Sequence, residues 1–151
     1  MKKALLPFLF ISLYAIAFSQ EETQIPNGDF ENWTNLDAGY DNPDEWESSN
    51  EASYQAPLNA TTMEKTDDAY SGSWAVKLTP TTIFTYSVPA FITLADYSFT
   101  LVPMSNDLSG GIYCPDKPVR LRGYYKYDPV EGDQCVVGLW LFKYDEEDPS
   151  A

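Results

Sequence analysis

The stretch KPVRLRGYYKYDPVEGDQCVVGLWLFKY, Lys117 to Tyr144, decides the fold class. From Val119 to Tyr127 the side chains alternate, with Val119, Leu121, Gly123, Tyr125 and Tyr127 on one face and Arg120, Arg122, Tyr124 and Lys126 on the other. A period of two is that of a half-buried strand. Pro129 and Gly132 supply turn chemistry between Asp128 and Asp133, and a second apolar run extends from Cys135 to Tyr144. The pattern predicts a β-hairpin. In the register that sets Tyr127 opposite Cys135, Tyr125 faces Val137 and Leu121 faces Leu141 on the core side. On the outer side Tyr124 lies over Gly138, Arg122 beside Trp140 and Arg120 beside Phe142.

Upstream of the hairpin the same grammar recurs. Ser71-Gly72-Ser73 is a turn opening onto a strand from Trp74 to Thr79, in which Trp74, Val76 and Leu78 alternate with Ala75, Lys77 and Thr79. Pro80 ends it. Thr81 to Thr100 is β-branched and aromatic and is split at Pro89, and Asp107 to Gly111 reads as a turn with two glycines. Nearer the N-terminus, Asn27-Gly28 is a turn, Phe30 and Trp33 are the first large apolar anchors, and Trp46 closes one end of the core. Glu47 to Pro57 reads as loop with a strand in it, and a short strand is expected within Asn59 to Lys65. No stretch of the mature chain sustains a 3.6-residue apolar period. The expected fold is all-β, an antiparallel β-sandwich or jelly roll, incomplete at its C-terminus because the strand from Leu139 to Tyr144 is apolar on both faces and little chain follows it.

The first residues are read apart from the fold. Lys2 and Lys3 precede an apolar run from Ala4 to Phe18, with small residues at Ala17 and Ser19, which is the pattern of a secretory signal over residues 1–19. That run is short for a bilayer crossing, which takes ~20 apolar residues. Residues 20–24 form a polar leader and 25–151 one domain. Export implies a secreted, periplasmic or cell-surface location with no membrane span after cleavage. Loss of Lys2 and Lys3 takes the formal charge from −14 to −16, an acidity that argues against nucleic acid as a partner. Four of the seven remaining cations, Lys117, Arg120, Arg122 and Lys126, lie within ten residues. Cys114 and Cys135 flank the first hairpin strand and are compatible with a disulfide or with two separate thiols.

Three segments coincide: Asn27-Gly28-Asp29-Phe30-Glu31-Asn32-Trp33, Tyr70-Ser71-Gly72-Ser73-Trp74-Ala75-Val76-Lys77-Leu78, and Pro118-Val119-Arg120-Leu121-Arg122-Gly123-Tyr124-Tyr125-Lys126-Tyr127. Together they resemble the exported bacterial proteins of the putative carbohydrate metabolism domain (PCMD) family, over Ile25 to about Tyr144. The resemblance implies a jelly roll similar to galactose-binding-like carbohydrate-binding modules and sugar-related work without a named substrate. It also implies a structural calcium ion near Gly28-Asp29-Phe30-Glu31, with Asp29 and Glu31 as ligands.

The residues themselves narrow the chemistry. Histidine is absent, so a Ser-His-Asp or Cys-His nucleophile and a His-based zinc site are excluded within one chain. Carboxylate pairs remain for glycoside hydrolysis, but with 23 acidic residues most carboxylates are solvated surface. The loop from Asp37 to Glu45 offers Asp37, Asp41, Asn42, Asp44 and Glu45 as hard oxygen ligands for calcium. A sugar wants aromatic faces beside charged or amide groups, which Arg120, Arg122, Tyr124 and Trp140 supply. The same four residues also fit a purely structural surface of cation–π pairs. The expected function is a non-catalytic domain that binds carbohydrate or a cell-surface glycan, or an accessory domain in carbohydrate use. The alternatives are a structural or adhesive protein-interaction module and a carboxylate-based glycoside hydrolase.

Overall fold

A computed structural model describes residues 25–36, 39–55, 58–115, 117–130 and 132–143. The signal at 1–19 and the leader at 20–24 lie outside the described residues. Among those described, no helix is long and apolar enough to cross a membrane.

The first fixed point is the turn at Asn27-Gly28. Gly28 N–H donates to the Ile25 carbonyl at 3.0 Å and Phe30 N–H to the Asn27 carbonyl at 3.0 Å. Asn27 takes a positive φ of 44°, which its short polar side chain tolerates. That side chain then ties the turn down, its amide donating to the carbonyls of Asn32 (2.9 Å) and Asp44 (3.0 Å). Strand β1 (Trp33–Asn35) pairs antiparallel with β2 (Asp41–Pro43). Trp46 packs on Phe30 with ring centroids 5.3 Å apart, and its indole donates to the Pro26 carbonyl at 3.1 Å. It closes that end of the core as expected.

The remaining strands are short and antiparallel. β3 (Glu47–Ser48) pairs with β8 (Ile92–Thr93), β4 (Met63–Thr66) with β5 (Ala75–Leu78), β6 (Thr81–Ile83) with β7 (Tyr86–Val88), and β9 (Asp96–Leu101) with β10 (Met104–Ser109). Between β3 and β4 lies a single helical turn, α1 (Asn50–Ser53). The chain is therefore all-β and antiparallel. Among the described residues each ladder has two strands. The breaks at Pro80 and Pro89 fall between strands, as anticipated.

The centre of the molecule is polar. Tyr40, Asn42, Pro43, Ser48, Ser49, Asn50, Ser53, Thr62 and Met63 are buried. Buried polar groups are stable only when hydrogen-bonded, and among the described residues every buried side-chain nitrogen and oxygen has a partner. Asn50 acts as a substitute strand. Its Oδ1 accepts from the N–H groups of Thr62 (2.8 Å) and Met63 (3.0 Å), and its Nδ2 donates to the Met63 carbonyl at 2.7 Å. Ser49 stands at the N-cap of α1 without capping it, because its hydroxyl lies 2.7 Å from the Thr62 hydroxyl and accepts from Phe91 N–H at 3.0 Å.

Three expectations are corrected. The segment from Val119 to Phe142 forms no strand ladder among its described residues. Its turn does form, with Asp133 N–H bonded to the Val130 carbonyl at 2.9 Å and Gly132 at a φ of +88°. The flanking strands do not zip, because Tyr124 and Lys126 are engaged by the body of the protein and the Trp140 ring folds back over Gly138 along its own chain. With the hairpin open, Cys114 and Cys135 are not joined in a disulfide. The turn expected at Asp107 to Gly111 is displaced: the chain reverses at Val102-Pro103, and β10 continues through Asp107 to Ser109 in register with β9. Finally, Leu78, expected on a buried face, is exposed.

Candidate functional site

The predicted ligand residues are all exposed on the segment from 117 to 143, whose two arms do not pair in the predicted register. Tyr124 and Trp140 are 74% and 70% exposed, and Arg120 and Arg122 face solvent as well. Tyr124 stacks on Tyr70 with centroids 3.6 Å apart and planes 11° from parallel. Two residues on, the Lys126 ammonium pairs with the Asp68 carboxylate. These contacts attach the segment to the loop that precedes β5 and leave the outer ring face open.

The proposed calcium ligands separate. Glu31 is a latch: its Oε1 accepts from Ser73 N–H at 2.7 Å and Trp74 N–H at 3.0 Å, bonds that hold its carboxyl below the usual carboxylate range, with Lys65 helping. Gly72, at a φ of +75°, lies directly under this carboxylate, where any Cβ would overlap it. Asp29 is exposed. In the second candidate loop, Asp41 accepts from the Asn35 amide at 2.7 Å, Asp44 from the Thr34 hydroxyl at 2.7 Å, and Asn42 is buried among Ser48 and Trp46. Asp37 lies outside the described residues. Among those described, no three acidic or cysteine side chains gather as a metal site.

A cleft that the sequence reading did not single out lies where β2 packs against β4. It encloses about 180 Å³ and is lined by Tyr40, Asp41, Thr61, Met63, Glu64 and Lys65. The Lys65 ammonium is held 4.1 Å from the Trp74 ring centroid and 5.5 Å from that of Trp33, a cation between two indoles. Glu64 pairs across the ladder with Lys77 at 3.7 Å. Tyr40 packs edge-on to Tyr54, and its hydroxyl, which bonds the Glu51 carboxylate at 3.4 Å, is pushed up to about 12 by burial and by that negative charge. It remains a donor at neutral pH. The cleft thus has an apolar wall and floor in Tyr40 and Met63, with acceptors and donors of both signs around them. No spacing in the sequence points here, because Trp33, Lys65 and Trp74 meet only once the strands are in place. Comparison with protein-family models, curated proteins and solved structures returns no match.

Proposed function

We propose that this chain is an exported, non-catalytic carbohydrate-binding domain, or an accessory domain in carbohydrate use, whose ligand face comprises Tyr124, Trp140, Arg120 and Arg122. The supporting observation is the Tyr70–Tyr124 stack, which presents flat aromatic surface to solvent on the segment that also carries both arginines and Trp140. An aromatic plane receives the C–H face of a sugar while guanidinium groups donate to its hydroxyls. The signal-like N-terminus and the three segments resembling the PCMD family agree with this reading. A jelly-roll arrangement belongs to the same proposal. A glycan array tests it: saturable binding is expected to one class of polysaccharide and to weaken about tenfold, or ~1.4 kcal/mol, in Tyr124→Ala and Trp140→Ala.

One observation favours a second reading, a protein-interaction module. Val119, Val136 and Val137 are 90%, 80% and 72% exposed on the same segment, an apolar display of the kind found at protein contact surfaces. Failure to bind any glycan on the array would favour it.

A further inference from the structure

We infer that the stretch from Val136 to Phe142 pairs with the same stretch of a second copy of this chain, antiparallel about a two-fold axis through Leu139. Every residue of the stretch is exposed, and it enters no ladder among the described residues. Its valines and aromatics are strand-forming residues, interrupted by a single glycine, Gly138. An exposed apolar run of this kind outside any ladder is a template for another strand.

Charge selects the occupant. No charged residue lies between Gln134 and Phe142, whereas the chain as a whole carries a formal charge of −14. Two copies therefore repel one another over most of their surfaces, and this stretch is where they meet without that cost. The first arm offers no equivalent edge. Paired with itself, it would crowd Arg120, Arg122 and Lys126 onto one face as like charges. Its Tyr124 and Lys126 are in any case held by Tyr70 and Asp68 of the same chain.

A two-fold contact requires a surface that is complementary to itself, and this stretch meets that condition. Pairing about Leu139 sets Val136 opposite Phe142, Val137 opposite Leu141 and Gly138 opposite Trp140. Each of these pairs joins a smaller side chain to a larger one on the same face, so no two large residues compete for one place. In the single chain the Trp140 ring folds over Gly138, where a Cβ would otherwise stand. In the pair, two glycines leave room on one face for two indoles, the aromatic cover that a strand glycine needs. Two strands alone form a marginal ribbon, so the pairing is a reversible equilibrium and not an obligate dimer. It gives the protein-contact reading of this segment a partner and requires no sugar ligand.

The test is sedimentation velocity of the mature chain over a series from low-micromolar to near-millimolar concentration. The expected result is a reversible equilibrium between monomer and dimer, with exchange protection of the Val136 to Phe142 amides growing as the dimer forms. Leu139→Lys and Leu139→Asp each set like charges opposite one another at the axis and should weaken association about tenfold. An equimolar mixture of the two variants should recover the association that each has lost, because opposite charges then face each other across the axis. Leu139 is exposed, so both variants are expected to keep the fold, which their circular dichroism checks. A chain that stays monomeric at every concentration, association that Leu139→Lys leaves unchanged, or a mixture that recovers nothing overturns the inference. Growth into species larger than a dimer overturns the closed two-fold pairing as well. Glycan binding by a chain that stays monomeric defeats the pairing alone and leaves the carbohydrate reading standing.

Discussion

Asn50 does with one side chain what a strand does with a peptide group. Its carboxamide holds the N–H groups of Thr62 and Met63 and the carbonyl of Met63 in a place closed to water. Asn50→Leu fills similar space but leaves those three backbone groups buried and unpartnered, and each such loss costs about 1–3 kcal/mol. Partial relaxation and water entry reduce the sum, so the variant is expected to lose about 2–4 kcal/mol. The measurement is urea denaturation, with a lower midpoint and an unchanged slope. A loss of unfolding free energy smaller than about 0.5 kcal/mol would mean that the polar centre is not what holds α1 to β4.

At the scale of elements, the latch from the N-terminal segment to the start of β5 depends on Glu31. Hydrogen bonds from Trp74 and Ser73 favour the ionised carboxylate, so its folded pKa lies below the ordinary 4.5. In acid the unfolded chain therefore binds more protons at this site than the folded one. The stabilisation is fully present above the ordinary value and is lost as pH falls through the depressed one. Thermal midpoints measured from about pH 7 down to about pH 3 should fall for the natural protein, and Glu31→Gln should flatten part of that acid limb while starting from a lower midpoint. Gly72→Ala should reproduce the loss at neutral pH by about 1 kcal/mol or more, since the position combines positive φ with a carboxylate where the methyl would go.

For the molecule as a whole, the segment from 117 to 143 is joined to the body through exposed contacts, the Tyr124–Tyr70 stack and the Lys126–Asp68 pair. Exposed ion pairs contribute ~0–1 kcal/mol and are screened by salt. Lys126→Ala should therefore shift global stability by less than about 1 kcal/mol. In the dilute monomer, amide exchange is expected to be fast from Val119 to Phe142 and slower across the six-pair ladder of β9 and β10. Protection of Val119 to Tyr127 equal to that of β9 would show that the two arms zip in solution.

What the sequence by itself determined lies in the local rules. Turn chemistry located Asn27-Gly28, the reversal ending at Asp133 and the breaks at Pro80 and Pro89, and the absence of a 3.6-residue period ruled out long helices. Trp46 was legible as an anchor because a large ring carries most of its burial with it. The partners were not legible. Alternation from Val119 to Tyr127 states that the segment suits a strand, but pairing is a choice among distant competitors, and here the loop at Asp68 and Tyr70 takes Tyr124 and Lys126. The same limit hid the core. Ser48, Ser49, Asn50 and Ser53 fall in a stretch that reads as loop, and nothing marks them or Thr62 as core because an isolated polar residue is most stable in water. Only the tertiary structure gathers them within hydrogen-bonding distance.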